Sequence, residues 1–226
     1  MKESHFMGGK YMREKIIRQI LDSRLIAIVR GMEEATILPL AEALSAGGIG
    51  LMEITFNQAK PESFGSTLRG ITAVKEKLGD RLLCGVGTVI SPEQVDLAAE
   101  AGALFIVSPN TDSDVIKKTR KHSLVSLPGA MTPGECLCAQ TAGADFVKLF
   151  PAAALGIPYF KSIHAPLNHI RFLAVGGIDE NNAADFIRAG AAGLGVGGNL
   201  VNKDWIAAGE FDKITAAARK LVSAVE

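Results

Sequence analysis

Eight apolar runs alternating with helix-like segments predict a (β/α)8 barrel for this 226-residue chain, and two further features agree. Four alanine–glycine joints, Ala46-Gly47-Gly48, Ala101-Gly102-Ala103, Ala142-Gly143-Ala144 and Ala189-Gly190-Ala191, each close a helical segment and precede an apolar run. Glycine beyond a last helical turn accepts the left-handed conformation that stops a helix, so these are helix-to-strand joints. The length suits one barrel-sized domain, and no proline- or serine-rich linker or low-complexity run divides it.

Taken in order, the apolar runs place strands at Leu25 to Arg30, Gly50 to Phe56, Leu82 to Thr88, Leu104 to Pro109, Leu124 to Gly129, Phe146 to Pro151, Phe172 to Gly177 and Leu194 to Gly198. Helix starts between them are marked by Ser91-Pro92-Glu93, Thr132-Pro133-Gly134-Glu135 and Asp179-Glu180. A helix over Tyr11 to Leu21 is extra to the eightfold alternation. Its stripe of Ile16, Ile17, Ile20 and Leu21 suits it to close the bottom of the barrel. Residues 1–10 are polar and read as a flexible N-terminal extension, leaving 11–226 as a single barrel domain.

Composition removes several function classes. Lys+Arg 24 balances Asp+Glu 24, so no global field recruits nucleic acid or an acidic membrane surface. Cys84, Cys136 and Cys138 offer no disulfide framework, which fits a reduced, cytoplasmic protein. Neither a signal peptide nor a membrane-spanning stretch is expected. His5, His122, His164 and His169 lie away from strand C-terminal ends and lack metal-ligand spacing, so no metal or other cofactor is expected.

Chemistry in such a barrel sits at the C-terminal ends of the strands. There, Lys148 interrupts the apolar run Phe146 to Pro151 and shares a strand face with Phe146 and Phe150. Burial disfavours the charged amine and lowers its pKa toward the range where it attacks a carbonyl, as in Schiff-base formation. A lysine that snorkels to solvent, or pairs with a carboxylate, is the plainer alternative. In the second strand Glu53 shares a face with Leu51, Thr55 and Asn57, and the parity of the two strands lets Glu53 and Lys148 meet inside the barrel. A structural ion pair would explain both residues without chemistry.

The runs Val175-Gly176-Gly177-Ile178 and Gly195-Val196-Gly197-Gly198-Asn199-Leu200 end the last two strands, the second entering a short helix. Glycine-freed backbone N–H groups at these two strand ends form the usual phosphate cradle of this fold, so Gly176, Gly177, Gly197, Gly198 and Asn199 point to a phosphorylated substrate. Tight barrel corners also require glycine.

The chain resembles the 2-keto-3-deoxy-6-phosphogluconate (KDPG) and 4-hydroxy-2-oxoglutarate (KHG) aldolases from Ile26 onward. The resemblance is carried by Ala27-Ile28-Val29-Arg30, Glu53-Ile54-Thr55-Phe56, Gly85-Val86-Gly87-Thr88-Val89, Ile106-Val107-Ser108-Pro109-Asn110, Pro128-Gly129-Ala130-Met131-Thr132-Pro133, the run around Lys148, and the two glycine-rich ends. It implies a metal-independent class I lyase, a homotrimer of barrels, that cleaves KDPG to pyruvate and glyceraldehyde 3-phosphate. Cleavage of 4-hydroxy-2-oxoglutarate to pyruvate and glyoxylate belongs to the same family. Lys148 then carries the imine and Glu53 shuttles protons, Thr88 bonds the pyruvyl carboxylate, and Pro109, Gly129 and Phe150 shape the pocket.

At the phosphate end Asn199 or Gly198 replaces a serine frequent in the family, and two further positions depart from its pattern. Asn57 stands where many relatives carry an arginine that clamps the substrate carboxylate, leaving Arg30 as the replacement. Val175 stands where many have threonine. Both departures resemble relatives that act on the galactonate epimer, so 2-keto-3-deoxy-6-phosphogalactonate (KDPGal) is the alternative substrate. A metal-free isomerase on the same phosphate-binding barrel, and a non-catalytic sugar-phosphate-binding barrel, are the readings from other classes.

Overall fold

Residues whose apolar runs bury both faces of a strand assemble into one parallel sheet in the computed structural model, which describes the backbone of residues 2–226 and the side chains from residue 11 onward. Its strands are β1 (Leu25–Val29), β2 (Leu51–Thr55), β3 (Leu83–Gly87), β4 (Phe105–Val107), β5 (Val125–Leu127), β6 (Gly129–Ala130), β7 (Val147–Leu149), β8 (Phe172–Val175) and β9 (Gly193–Val196). The order β5-β4-β3-β2-β1-β9-β8-β7-β6 brings the two ends of the sheet onto adjoining pieces of chain. The result is a nearly closed parallel barrel, the architecture expected.

The count of nine where eight strands are expected has one cause. Pro128, which has no N–H to give to the ladder, splits the fifth strand into β5 and β6. β5 pairs with β4 and β6 with β7, so the ring closes through the proline itself, whose carbonyl accepts from Lys148 N–H at 2.9 Å.

The surrounding helices are α1 (Lys2–Ser23), α2 (Glu34–Ala46), α3 (Phe64–Leu78), α4 (Pro92–Glu100), α5 (Ser113–Lys121), α6 (Pro133–Ala142), α7 (Ala152–His164), α8 (Ala183–Arg188), α9 (Lys203–Ala207) and α10 (Phe211–Val225). α6 shows how sequence sets their ends. Thr132 and Glu135 form a reciprocal capping box at its start, and Gly143 at φ 104° takes its last N–H groups back to Ala139 and Gln140. α1 runs further than expected, because the backbone of residues 2–10, read above as an extension, continues the helix. Met1 and the side chains of residues 1–10 lie outside the described residues. Among the described residues no helix is long and apolar enough to cross a membrane.

Alternation along the strands divides the apolar residues into two cores. Outward-facing Ala27, Met52, Ile54, Val86, Ile106 and Leu194 pack beneath the helices, while inward-facing Ile26, Leu51, Leu83, Phe105, Val125, Phe146 and Leu173 fill the barrel. Ile16 and Ile20 of α1 belong to the inner core and are fully buried, each contributing about 2 kcal/mol through burial. The plug is also tied electrostatically. Asp145, just before β7, is contacted by Arg13 of α1 and by Arg120 of α5, and accepts from the backbone N–H of Ser126 at 2.9 Å. The bottom is thereby sealed, leaving the C-terminal ends of the strands as the open side.

Candidate active site

Lys148 lies mid-β7, paired in register with Gly129 of β6 and Leu173 of β8, and is 5 % exposed. Glu53 lies mid-β2 beside Ile28 and Gly85 and is 2 % exposed. Burial lowers the Lys148 ammonium, with the field of Arg30 acting in the same direction and Glu53 opposing it. Burial likewise raises the Glu53 carboxyl against the pull of Lys148 and Arg30. The three groups therefore share one electrostatic neighbourhood at the top of the barrel. No direct ion pair joins the carboxylate to the amine. Among the described residues no side-chain nitrogen or oxygen is sealed away without a hydrogen-bond partner, so the unbonded amine of Lys148 is not wholly closed off.

The glycines of β3 explain how a carboxylate fits there. A Cβ on Gly87 would stand 1.7 Å from Glu53 Oε1, so only the bare backbone of β3 admits the Glu53 side chain. Above Lys148 the Phe150 ring lies 5.0 Å from its Nζ and is 40 % exposed, forming one lip of the pocket. Thr55 is buried one inward step above Glu53. Pro109 and Gly129 press together on the neighbouring strand end, beside Lys148, where a Cβ on Gly129 would meet the Pro109 carbonyl at 2.3 Å.

The glycine-rich ends lie beside these residues. Gly176 and Gly177 both adopt positive φ, 97° and 74°, and a Cβ on Gly176 would touch the Phe150 ring at 3.1 Å. Asn199 joins the two loops, its Nδ2 donating to the Ile178 carbonyl at 2.9 Å, and Asn182 Nδ2 donates to the Gly177 carbonyl at 2.9 Å. The backbone N–H groups of Gly177, Gly198 and Asn199 find no acceptor in the described chain. One expectation changes here. The run from Gly198 forms a turn, and α9 begins only at Lys203 with Asn202 capping it, so the cradle consists of turn amides and not a helix end.

Two expected residues behave differently from a simple pocket wall. Asn57 is exposed and its Oδ1 accepts from the Ala59 N–H at 3.1 Å, folding back onto its own loop. Thr88 takes a left-handed φ of 57°, and its carbonyl is held by Gln58, which pairs with Gln94. Sequence reasoning missed both glutamines, although Ser91-Pro92-Glu93-Gln94 carries the helix-start spacing that marks the second. Of the histidines, His122 contacts Asp96 and His169 contacts Gln140, whereas His164 is half-buried and stacks on Phe160, a packing role in place of the solvated one expected. Cys84 packs in the outer core as expected, its thiol pushed up by burial. No group of three or more potential metal ligands occurs among the described residues.

Residues 16–217 match the family model "KDPG and KHG aldolase". The chain is 38 % identical over 177 residues to the 2-dehydro-3-deoxy-6-phosphogalactonate aldolase of Escherichia coli strain K12, covering 78 % of this chain and 83 % of that protein. A solved structure described as native KDPGal superposes with a TM-score of 0.80 at 35 % identity, over 88 % of this chain and 93 % of the other. The KDPG aldolase of Legionella pneumophila, solved with pyruvate captured as a covalent carbinolamine, superposes with a TM-score of 0.79 at 29 % identity, over 88 % and 94 %. With an inward lysine and glutamate at the open end of the same barrel, the chain belongs to the KDPG and KHG aldolase family, the metal-independent class I carbon–carbon lyases.

Proposed function

We propose that the chain cleaves the C3–C4 bond of a six-carbon 2-keto-3-deoxy-6-phospho sugar acid, releasing pyruvate and glyceraldehyde 3-phosphate. The observation that carries this reading is the buried, unpaired amine of Lys148 beside the buried carboxyl of Glu53. Neutral Lys148 attacks the C2 ketone, forming the C–N bond while the carbonyl oxygen takes a proton. Protonated Glu53 donates to that hydroxyl, water leaves, and the cationic imine remains. Glu53, now a carboxylate, accepts the C4 hydroxyl proton. The C3–C4 bonding electrons pass into an enamine and the aldehyde departs. Protonation of C3 and hydrolysis of the imine return pyruvate and the free amine. A carboxyl raised by burial suits both halves of this exchange, since it holds and releases its proton nearer neutrality.

Arg30 supplies the cationic clamp for the substrate carboxylate, and Thr88 bonds the pyruvyl carboxylate as the family resemblance implies. Thr55, Pro109, Gly129 and Phe150 bound the reacting carbons. The free amides of Gly177, Gly198 and Asn199, with Gly176 and Gly197 shaping the turns, receive the phosphate. Asn57 supports its own loop in preference to the substrate.

The gluconate epimer stands first in the sequence reading, with 4-hydroxy-2-oxoglutarate as a further substrate. One observation favours the galactonate epimer. Val175 is buried on the inner face at the end of β8, where threonine would offer a hydroxyl, so this wall gives no hydrogen bond to an oxygen at C4. The 38 % identity to a relative named 2-dehydro-3-deoxy-6-phosphogalactonate aldolase supports the same choice. A homotrimer, implied by the family resemblance, is measured by sedimentation equilibrium. The reaction is tested by pyruvate release from KDPG, KDPGal and 4-hydroxy-2-oxoglutarate, with borohydride trapping of a pyruvyl adduct. An adduct on Lys148, and a preference for the phosphorylated substrates, is expected; no adduct would defeat the mechanism and favour an isomerase or a non-catalytic binding protein.

A further inference from the structure

Thr88 follows β3 in a conformation that a β-branched residue rarely adopts, φ 57°, and something must hold it there. The contacts around it come from two side chains with no part in the chemistry above. Gln58 Nε2 donates to the Thr88 carbonyl at 2.6 Å and to Gln94 Oε1 at 3.2 Å. Gln94 Nε2 returns a bond to Gln58 Oε1 at 2.9 Å, and Gln94 Oε1 accepts from the Ile90 N–H at 2.8 Å. The two amides thus grip the strained residue on both sides, at its own carbonyl and at the N–H two residues on.

The origin of each glutamine's position is local. Asn57, through its turn to Ala59 and the Lys60 N–H to Asn57 carbonyl bond at 2.9 Å, bends the loop after β2 so that Gln58 faces the loop after β3. Gln94 occupies the third position of α4, behind the Ser91 cap. In a capping box its carbonyl would return to the Ser91 N–H; here it goes to Ile90 instead. The orientation is forced, because turning the Gln58 amide over would set its oxygen against the Thr88 carbonyl.

We propose that Gln58 and Gln94 are positioning residues that lock Thr88 for recognition of the substrate carboxylate. The proposal rests on the aldolase reading above. A carboxylate contact made alike in ground and transition states shows itself in KM and not in kcat. Losing the Gln58 hydrogen bond in Gln58→Leu is therefore expected to raise KM for the preferred substrate by about fivefold to tenfold, with kcat within about twofold. Gln58→Glu sets a carboxylate against the Thr88 carbonyl at neutral pH and is expected to raise KM more. As pH falls its protonated form regains a donor, so its KM relative to the parent should fall as well. A brace serving stability alone would lower the melting temperature and leave this pH-dependent ratio flat.

The experiment measures KM, kcat and melting temperature for the parent, Gln58→Leu, Gln58→Glu and Gln94→Ala across pH. If Gln58→Leu does not fold, Gln58→Glu and Gln94→Ala are judged by the same KM criterion. Folded variants whose KM matches the parent at every pH would overturn the inference while the parent's activity and its Lys148 adduct keep the function intact. A parent with neither activity nor adduct brings down both.

Discussion

The two ends of the barrel each bury charge, and they treat it in opposite ways. At the bottom, Asp145 has a side chain only 4 % exposed, and every direction around it is answered by Arg13, Arg120 and the Ser126 N–H. At the top, Glu53 and Lys148 are buried to a similar depth without a direct ion pair between them. Burial raises both carboxyls, Asp145 as well as Glu53, but at the bottom the charge is paired and hydrogen-bonded and holds a plug in place, whereas at the top carboxyl and amine stand without a direct ion pair. The comparison separates a structural ion pair, the plainer account of Glu53 and Lys148, from a reactive one.

The largest expected effect lies at the top. Lys148→Ala should reduce cleavage by about 10⁴-fold or more and abolish the borohydride adduct, because Lys148 is the one buried lysine among the described residues. An adduct that persisted would show that the wrong lysine has been named. Glu53→Gln removes only the proton carrier, and a fall of about 10²–10⁴-fold in kcat is expected, with the adduct still forming from pyruvate. The charge of Glu53 also raises Lys148, so its removal should lower the amine further. The rising limb of trapping rate against pH then moves to lower pH in Glu53→Gln. A shift the other way would mean that Glu53 does not face the amine.

Breaking the bottom should do the reverse. Asp145→Ala leaves Arg13 and Arg120 without their shared partner, and removing one member of a buried ion pair costs about 3–5 kcal/mol. For a chain of this size that lowers the melting temperature by roughly 6–20 °C. Turnover per folded molecule should be unchanged. A loss of kcat at permissive temperature would show that the two ends are not independent.

The same contrast explains what could be read from the sequence. Glu53 and Lys148 were legible because a charge inside an apolar strand is conspicuous, and strand parity alone places both inward. The seven unbroken strands fell where their apolar runs lie, since burial on both faces leaves sharp ends. Pro128 stands inside the fifth run, yet the hydropathy of that run is continuous, and hydropathy does not register the ladder bond that a proline cannot make. The latch at Asp145 and the Gln58–Gln94 pair were not legible. Each depends on residues 19 or more positions apart meeting through tertiary packing, and no periodicity announces an amide or carboxylate that will be satisfied from another element. Asn57 misled for a related reason: its own turn consumed the oxygen that spacing assigned to the pocket.

The smallest effect is the most discriminating, because it asks whether the top is built for stability at all. In Glu53→Gln/Lys148→Met both buried charges are gone while volume is nearly kept, and replacing such groups is often stabilising by about 1–4 kcal/mol. The dependence on pH has a definite sign. Glu53, raised in the folded state, binds more protons folded than unfolded, so parent stability falls as pH climbs from its ordinary value of 4.5 through the folded one. Lys148, lowered in the folded state, binds fewer protons folded than unfolded, so parent stability recovers as pH climbs from the folded value toward 10.5. The gain of the double variant over the parent should accordingly be greatest between these windows and shrink toward both sides, as read by denaturant melts across pH. A parent more stable than the double variant at neutral pH would make Glu53 and Lys148 a second latch like Asp145. A parent less stable than the double variant retains both charges at a cost in stability, and proton transfer at the imine is the work that accounts for them.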